Sequence, residues 1–167
     1  MADKIGSRKR SWNMSHIRSS ETKPEILVRS LLHRMRFRFR LHRGDLPGRP
    51  DIVLAKYHTV IFVHGCFWHQ HPGCIEASCP KSNTKYWKPK LHGNIIRDRR
   101  NRRLLHQQGW RVMTFWECDI EKNPARIAMH IARGLRGSAA QSAVHGIPSR
   151  GQLLKAAQAR AGYNKLK

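Results

Sequence analysis

From Cys66 to Cys74 the chain reads Cys-Phe-Trp-His-Gln-His-Pro-Gly-Cys. Thiolate and imidazole are the donors zinc prefers, and two of each within this short stretch exceed what packing alone would call for. Phe67 and Trp68 stand side by side just past an apolar run, where a loop should begin. Exposed aromatic rings on a basic chain stack on, or wedge between, nucleic-acid bases. His69 follows Trp68 directly and precedes His71 by two residues. An imidazole titrates near neutrality, so it can take or give a proton during hydrolysis.

A second constellation surrounds Asp51, which opens the apolar run Asp51-Ile52-Val53-Leu54 just after Gly48-Arg49-Pro50. A carboxylate at a strand end, beside a loop, suits a hard divalent cation. The plainer reading is a turn Asp that caps the strand. The next apolar run, Thr59-Val60-Ile61-Phe62-Val63, ends at His64. If the two runs form a hairpin, that end returns to Asp51, and strand-end carbonyls also ligate magnesium. One carboxylate, one carbonyl, His64 and His69 would then lie close together.

These residues need a scaffold. Thr22 and Glu25 have capping-box spacing, and Leu27, Leu31, Leu32 and Met35 share one face, which predicts a helix from Thr22. Phe37 to Leu41 alternates like a half-buried strand, and Gly44 to Pro50 is rich in turn residues. The short link Ala55-Lys56-Tyr57-His58 predicts an antiparallel hairpin between the two core strands. A long helix is predicted from about Tyr86 to Gln108, weakened near its start by Pro89 and Gly93. Trp87, Leu91, Ile95, Leu104 and Leu105 mark its buried side, and Gly109 its C-cap. Trp110 to Trp116 reads as another core strand, and Asn123-Pro124 opens a last helix. Helix, three strands, helix, strand and helix make an α/β chain with a central mixed sheet flanked by helices.

Composition narrows the partners. The 167 residues carry 33 Lys and Arg against 10 Asp and Glu, a formal net charge of +23. Such an excess points to a polyanion, because basic proteins gain affinity by releasing counterions from phosphates. An anionic membrane is the other common partner, but no long apolar run or lipidation motif supports it. No secretory signal is visible, so a reducing, cytoplasmic setting is expected, and the four cysteines read as metal ligands rather than two disulfides. By local spacing alone the compact ligand set is Cys66, His71, Cys74 and Cys79. Residues 1–20 read as a basic arm and residues 137–167 as a loosely ordered basic tail, with one short helix near Gln152 to Arg160. Residues 21–136 form the globular part.

The carboxylate at Pro50-Asp51 resembles the first element of a PD-(D/E)xK nuclease core. Phe62-Val63-His64 stands where an acidic residue, a spacer and Lys would follow. Five segments account for that departure: Leu46 to Asp51, Val63 to His69, Arg97 to Arg100, Gly109 to Val112, and Trp116-Glu117-Cys118. In this order they resemble the very short patch repair (Vsr) mismatch endonucleases, whose second acidic element is replaced in the same way. The likeness runs from about Ser11 to Ile120.

The resemblance implies a restriction-endonuclease-like fold with a structural zinc site. The implied activity is magnesium-dependent nicking of one DNA strand beside the thymine of a T:G mismatch, left by deamination of 5-methylcytosine. Asp51 would hold two catalytic magnesium ions with the backbone carbonyl of Val63, a position where the family often has Thr. His69 would act as general base. Glu25 and Asp98 would hold metal-bound waters, and His64 would support the site. The plainer readings are a capping box for Glu25 and a salt bridge for Asp98. The family pattern gives zinc Cys66, His71, Cys74 and Cys118, with Cys79 as the substitute. Phe67 and Trp68 would wedge beside the mismatch, Met14 of the arm would enter from the opposite groove, and Trp87 would complete the wall. As a core residue of an amphipathic helix, Trp87 is almost as well explained. Lys85, Lys88, Lys90, Arg97 and Arg99 would grip phosphate. The implied partner is double-stranded DNA at the bacterial nucleoid, and a monomer is enough to nick one strand. Three roles stay open for the tail: binding DNA, contacting other mismatch-repair proteins, or neither. The rivals are a restriction-type endonuclease on matched DNA, a non-catalytic zinc-braced DNA-binding module and, more weakly, a ribosomal-type RNA-binding protein.

Overall fold

A computed structural model describes residues 20–136. The expected arm residue Met14, most of the arm and the tail lie outside these residues. Five α-helices and four strands follow in order: α1 (Lys23–Arg34), β1 (Arg40–Leu41), β2 (Ile52–Leu54), β3 (Thr59–His64), α2 (Cys66–His69), α3 (Thr84–Gln107), β4 (Arg111–Trp116), α4 (Glu117–Lys122) and α5 (Pro124–Arg136). The sheet order is β1-β2-β3-β4. The first two pairings are antiparallel and β3–β4 is parallel, so the sheet is mixed. A parallel pair needs a long crossover, and α3 supplies it.

Strand periodicity decides what covers each face. Ile52, Leu54, Ile61, Met113 and Phe115 point to one side, into a core shared with Val28, Leu32, Ile120, Ile127 and Ile131 of α1, α4 and α5. Val53, Val60, Phe62 and Val112 point to the other side, where Leu105 of α3, Leu46 and Trp110 cover them. With both faces buried, β2 has no polar position, which explains its unbroken apolar run. The expected α/β architecture is present as three layers.

The predicted strand from Phe37 to Leu41 shortens to β1, two residues long. Phe37 is buried and packs edge-on against Tyr57, and Phe39 joins the core beside it. The apolar alternation there serves packing rather than a ladder. The stretch around Cys66 forms a helical turn, α2, where a loop was expected. Cys118 sits in the first turn of α4, just past the end of β4. In the loop before Asp51, Gly48 has φ +76° and the place of a Cβ would lie 2.7 Å from Asn101 Nδ2, so the loop is pressed against α3.

Candidate functional site

The C-terminal end of β3 and the entrance of β2 open onto a groove of about 680 Å³, lined by Glu25, Asp51, His64, His69, Asp98 and Arg102 among others. The sequence separates these residues widely, and the sheet joins them. Extending the β2–β3 register by two residues sets Pro50 opposite Val63. Proline has no N–H to give, so the ladder stops there. The Val63 N–H instead donates to Asp51 Oδ2 at 2.7 Å. In an antiparallel ladder one residue's N–H and C=O face the same neighbour, so the Val63 carbonyl points to the Asp51 edge. Burial pushes the Asp51 carboxyl up to about 6; the Val63 N–H opposes this, and Glu25 adds to it. A largely buried acid beside a second carboxylate, with a carbonyl at hand, is a hard-oxygen donor set that would gain from a divalent cation.

Glu25 is 3% exposed. Its capping role is real: Oε1 accepts from the Thr22 hydroxyl at 2.9 Å, and Oε2 accepts from the Glu21 N–H at 3.0 Å. It also faces the groove through His42 and Arg29, with Arg29 Nη2 donating to Oε2 at 2.9 Å. Glu25, His42 and Asp51 thus form one cluster close enough to share a cation. The capping contacts and the place at the groove belong to the same side chain.

His69 and Asp98 form the other wall. His69 Nδ1 lies 2.5 Å from Asp98 Oδ2. Burial works against the Asp98 carboxylate, but the hydrogen bond and charge of His69 outweigh it, and its pKa is held below the ordinary value. With Nδ1 turned to Asp98, Nε2 is the nitrogen left for a water, the base-and-orienter arrangement of a hydrolase. His64 stacks on His69 with centroids 3.8 Å apart. Burial, and then the neighbouring charge of His69, pushes His64 down to about 3, so it is a neutral spacer in the stack. These clusters bring together Asp51, Val63, His64, His69, Glu25 and Asp98.

The second centre lies behind that stack. Cys66, His71, Cys74 and Cys118 each offer a ligand atom within 4.8 Å of the others. Tetrahedral zinc, with bonds of about 2.3 Å to sulfur and about 2.0 Å to nitrogen, spaces two sulfurs about 3.8 Å apart and sulfur from nitrogen about 3.5 Å. Cys74 and Cys118 Sγ are 3.8 Å apart, and His71 Nδ1 lies 3.6 Å from Cys66 Sγ and 3.3 Å from Cys118 Sγ. The donors therefore fit zinc in both chemistry and spacing. Cys79 is exposed and outside the cluster. Of the two ligand sets, the structure brings together the one with Cys118. The His71 ring stacks on Trp116 at 4.3 Å, and Trp116 meets His64 edge-on at 5.4 Å. One column of rings thus runs from the zinc-type cluster to His69.

α2 aims the aromatic pair. Its last carbonyls lack helical partners, and side chains supply them: Gln70 Nε2 donates to Phe67 O at 2.7 Å, and the buried Asn94 donates to Trp68 O at 2.9 Å. Phe67 and Trp68 are half-buried, packed on each other and on Trp87. Trp87 is 5% exposed, so it backs the pair as a core residue does rather than extending it as a surface. Lys90, Arg97 and Arg102 border the groove, and Lys85, Lys88 and Arg99 are exposed on α3.

Sequence reasoning missed Arg29, His42, Asn94 and Trp116. Arg29 follows Glu25 at i+4 on one helix, a pairing that could have been read. His42 gave no such signal, because its place depends on a left-handed backbone turn after β1.

Comparisons with known proteins find relatives over most of the chain. A family model described as DNA mismatch endonuclease Vsr matches residues 2–75. The type II nicking enzyme V.XorIIP of Xanthomonas oryzae pv. oryzae is 49% identical over 72% of this chain and 88% of its own. The DNA mismatch endonuclease Vsr of Escherichia coli is 43% identical over 72% of this chain and 76% of its own. Among solved structures, the catalytic domain of the homing endonuclease I-Bth0305I aligns over 68% of this chain and 94% of its own, with a TM-score of 0.47 and 20% identity.

Proposed function

The chain belongs to the Vsr family of DNA mismatch endonucleases, and from that premise we propose that it nicks one strand of duplex DNA beside the thymine of a T:G mismatch. The fold is read as a PD-(D/E)xK-type nuclease core. The observation that carries the reading is the meeting of Asp51, His69 and Asp98 across a single groove. A hydrolytic site needs a carboxylate for a cation, a base for water and a group to orient that base, and here each has a candidate within reach.

Magnesium, held by Asp51 and the Val63 carbonyl, would acidify the attacking water and neutralise charge on the leaving oxygen. His69 would take the proton of that water at Nε2, while Asp98 holds Nδ1 and stabilises the imidazolium that forms. His64 would keep the His69 plane fixed by stacking, without competing for the proton. Glu25 would anchor the far side through its charge toward Asp51, and both Glu25 and Asp98 would orient water in the groove. Zinc at Cys66, His71, Cys74 and Cys118 would brace α2 and the column of rings behind His69.

Phe67 and Trp68, braced by Trp87, would enter the stack beside the mismatch, and Met14 of the arm would approach from the other groove. Unstacking costs a few kcal/mol and least where pairing is already poor, so a wedge favours the mismatch. The protein would work as a monomer in the cytoplasm at the nucleoid.

The test is a labelled duplex with one T:G pair, offered in several sequence contexts with magnesium. A nick in the T strand alone, with the matched duplex intact and activity lost by at least about a thousandfold in Asp51→Ala, is the expected result. Cleavage of matched DNA on both strands would favour a restriction-type enzyme. Tight binding without a nick, unchanged in Asp51→Ala, would leave a zinc-braced binding module.

A further inference from the structure

The side of α3 that faces the sheet changes character along its length. Leu91, Asn94, Asp98, Arg102 and Leu105 follow one another at helical intervals, so they share that side. Leu91 and Leu105 are buried, as such a stripe requires. Between them the stripe turns polar. Asn94 holds the Trp68 carbonyl, and Asp98 holds His69. Arg102 also lines the groove, and the mechanism above leaves it unused.

The Arg102 side chain spans from α3 to the edge strand of the sheet. Its Nη2 donates to Thr114 Oγ1 of β4 at 3.1 Å. A hydroxyl accepts that bond without carrying charge, so it orients the guanidinium and leaves its charge uncompensated. No carboxylate among the described residues pairs with Arg102, whereas Arg29 and Arg43 each have one. Asp98, one turn away on the same side of α3, is taken by His69. The remaining N–H groups of a guanidinium form a planar fork. An exposed fork, held in one orientation beside a groove, fits the paired oxygens of a phosphodiester.

The sheet sets how far this fork's anchor lies from the reacting centre. Extending the β2–β3 register by one residue sets Asp51 opposite Phe62, and Phe62 pairs with Thr114. Residues paired across a sheet point to the same face, so these three form one row beneath α3. Two strand spacings separate the ends of that row by about 10 Å. Thr114 is therefore too far away to touch a group held at Asp51, and Phe62 between them has no side-chain polar atom.

We propose that Arg102 binds a phosphate of the T strand beside the scissile one, and that Thr114 is the residue that positions it. The pair would fix where the strand crosses β4, so that the scissile phosphate comes to rest over Asp51. This inference rests on the nuclease reading above and adds to it a contact that sets the register of the cut strand.

Duplex affinity without magnesium tests it, with melting temperature and zinc content as controls for folding. Arg102→Gln should weaken binding about tenfold, equally for T:G and matched duplexes, and should flatten the slope of log affinity against log salt by about 0.9. Thr114→Val keeps the charge, so it should keep that slope while weakening binding about threefold. Phosphates are then neutralised singly, with a methylphosphonate placed at each position near the nick in turn. At one position on the T strand, beside the scissile phosphate, the change should weaken the wild-type complex and cost nothing further in Arg102→Gln. Thr114→Val should show a reduced cost at that same position.

An unchanged salt slope in Arg102→Gln, effects that add at every position, or coupling that falls on the intact strand would overturn the proposal. A loss confined to the T:G duplex would also overturn it, by making Arg102 a reader of bases. Binding without any nick by the wild-type protein in magnesium would instead count against the nuclease reading, and the phosphate coupling would still decide what Arg102 holds.

Discussion

Asp51 shows what a largely buried acid costs a fold. In the unfolded chain it ionises near 3.8, and in the fold burial raises it to about 6. Between these values the folded chain holds a proton that the unfolded chain has lost. The stability tied to this group is complete below the lower value and is lost as pH rises through the upper one. Asp51→Asn should therefore stabilise the metal-free protein above pH 6 by about 1–3 kcal/mol and change little at about pH 4. Thermal melts across that range would check this. Added magnesium should narrow or reverse the gap, since only the wild-type carboxylate binds it well. A constant gap across the range would mean that Asp51 is not buried as described. His64 carries the opposite sign. Burial pushes its pKa down, so the fold loses support as pH falls below the ordinary histidine range. Most of these side chains were legible because their types and order match a known pattern. The place of His42 was not, because it depends on one left-handed residue, which leaves no trace in spacing.

Among the elements, the helical turn α2 depends most on its surroundings. One turn of helix has too few internal hydrogen bonds to persist alone. It is held by Gln70 and Asn94 at its carbonyls and by the four-residue zinc-type cluster at its base. Cys118→Ser should reduce bound zinc from one per chain to well below that, and should lower the melting temperature by about 10 °C, or about 2–3 kcal/mol. It should also slow nicking, since the column from His71 to His69 loses its base. Cys79→Ser should leave zinc content, melting temperature and nicking unchanged, and metal analysis beside calorimetry would separate the two variants. The reverse result would restore the compact ligand set read from local spacing. The sequence left both sets open, because proximity along the chain favours Cys79, whereas only the packing of α4 brings Cys118 inward. The capping box, the hairpin and the long helix were readable from local rules. The shortness of β1 was not, since Phe37 and Phe39 alternate like a strand but pack without pairing.

At the scale of the whole molecule the formal net charge of +23 sets how DNA is approached. Composition gave the sign of the partner; in the fold, Lys90, Arg97 and Arg102 line one side of the groove, and Arg103 and His106 continue along the flank of α3, which is the track proposed for phosphate. If about six phosphates are neutralised, affinity should fall about a thousandfold between 50 and 200 mM salt. Anisotropy titrations with Asp51→Ala protein, which should bind without cutting, would measure the slope. A slope fitting only one or two phosphates would mean that most of the charge serves something other than DNA.

The parallel pairing of β3 with β4 also governs when the protein becomes dangerous. Asp51 and His69 leave the ribosome early, and Asp98 later, on α3. The layer that seats α3, through Leu105 against Trp110 and Val112, needs the strand that follows it. Until that strand emerges, Asp98 has no fixed seat beside His69, although the hairpin already holds Asp51 near the end of β3. On the proposed mechanism a half-made copy lacks the partner that orients His69, so the ability to nick would arrive only with the finished sheet.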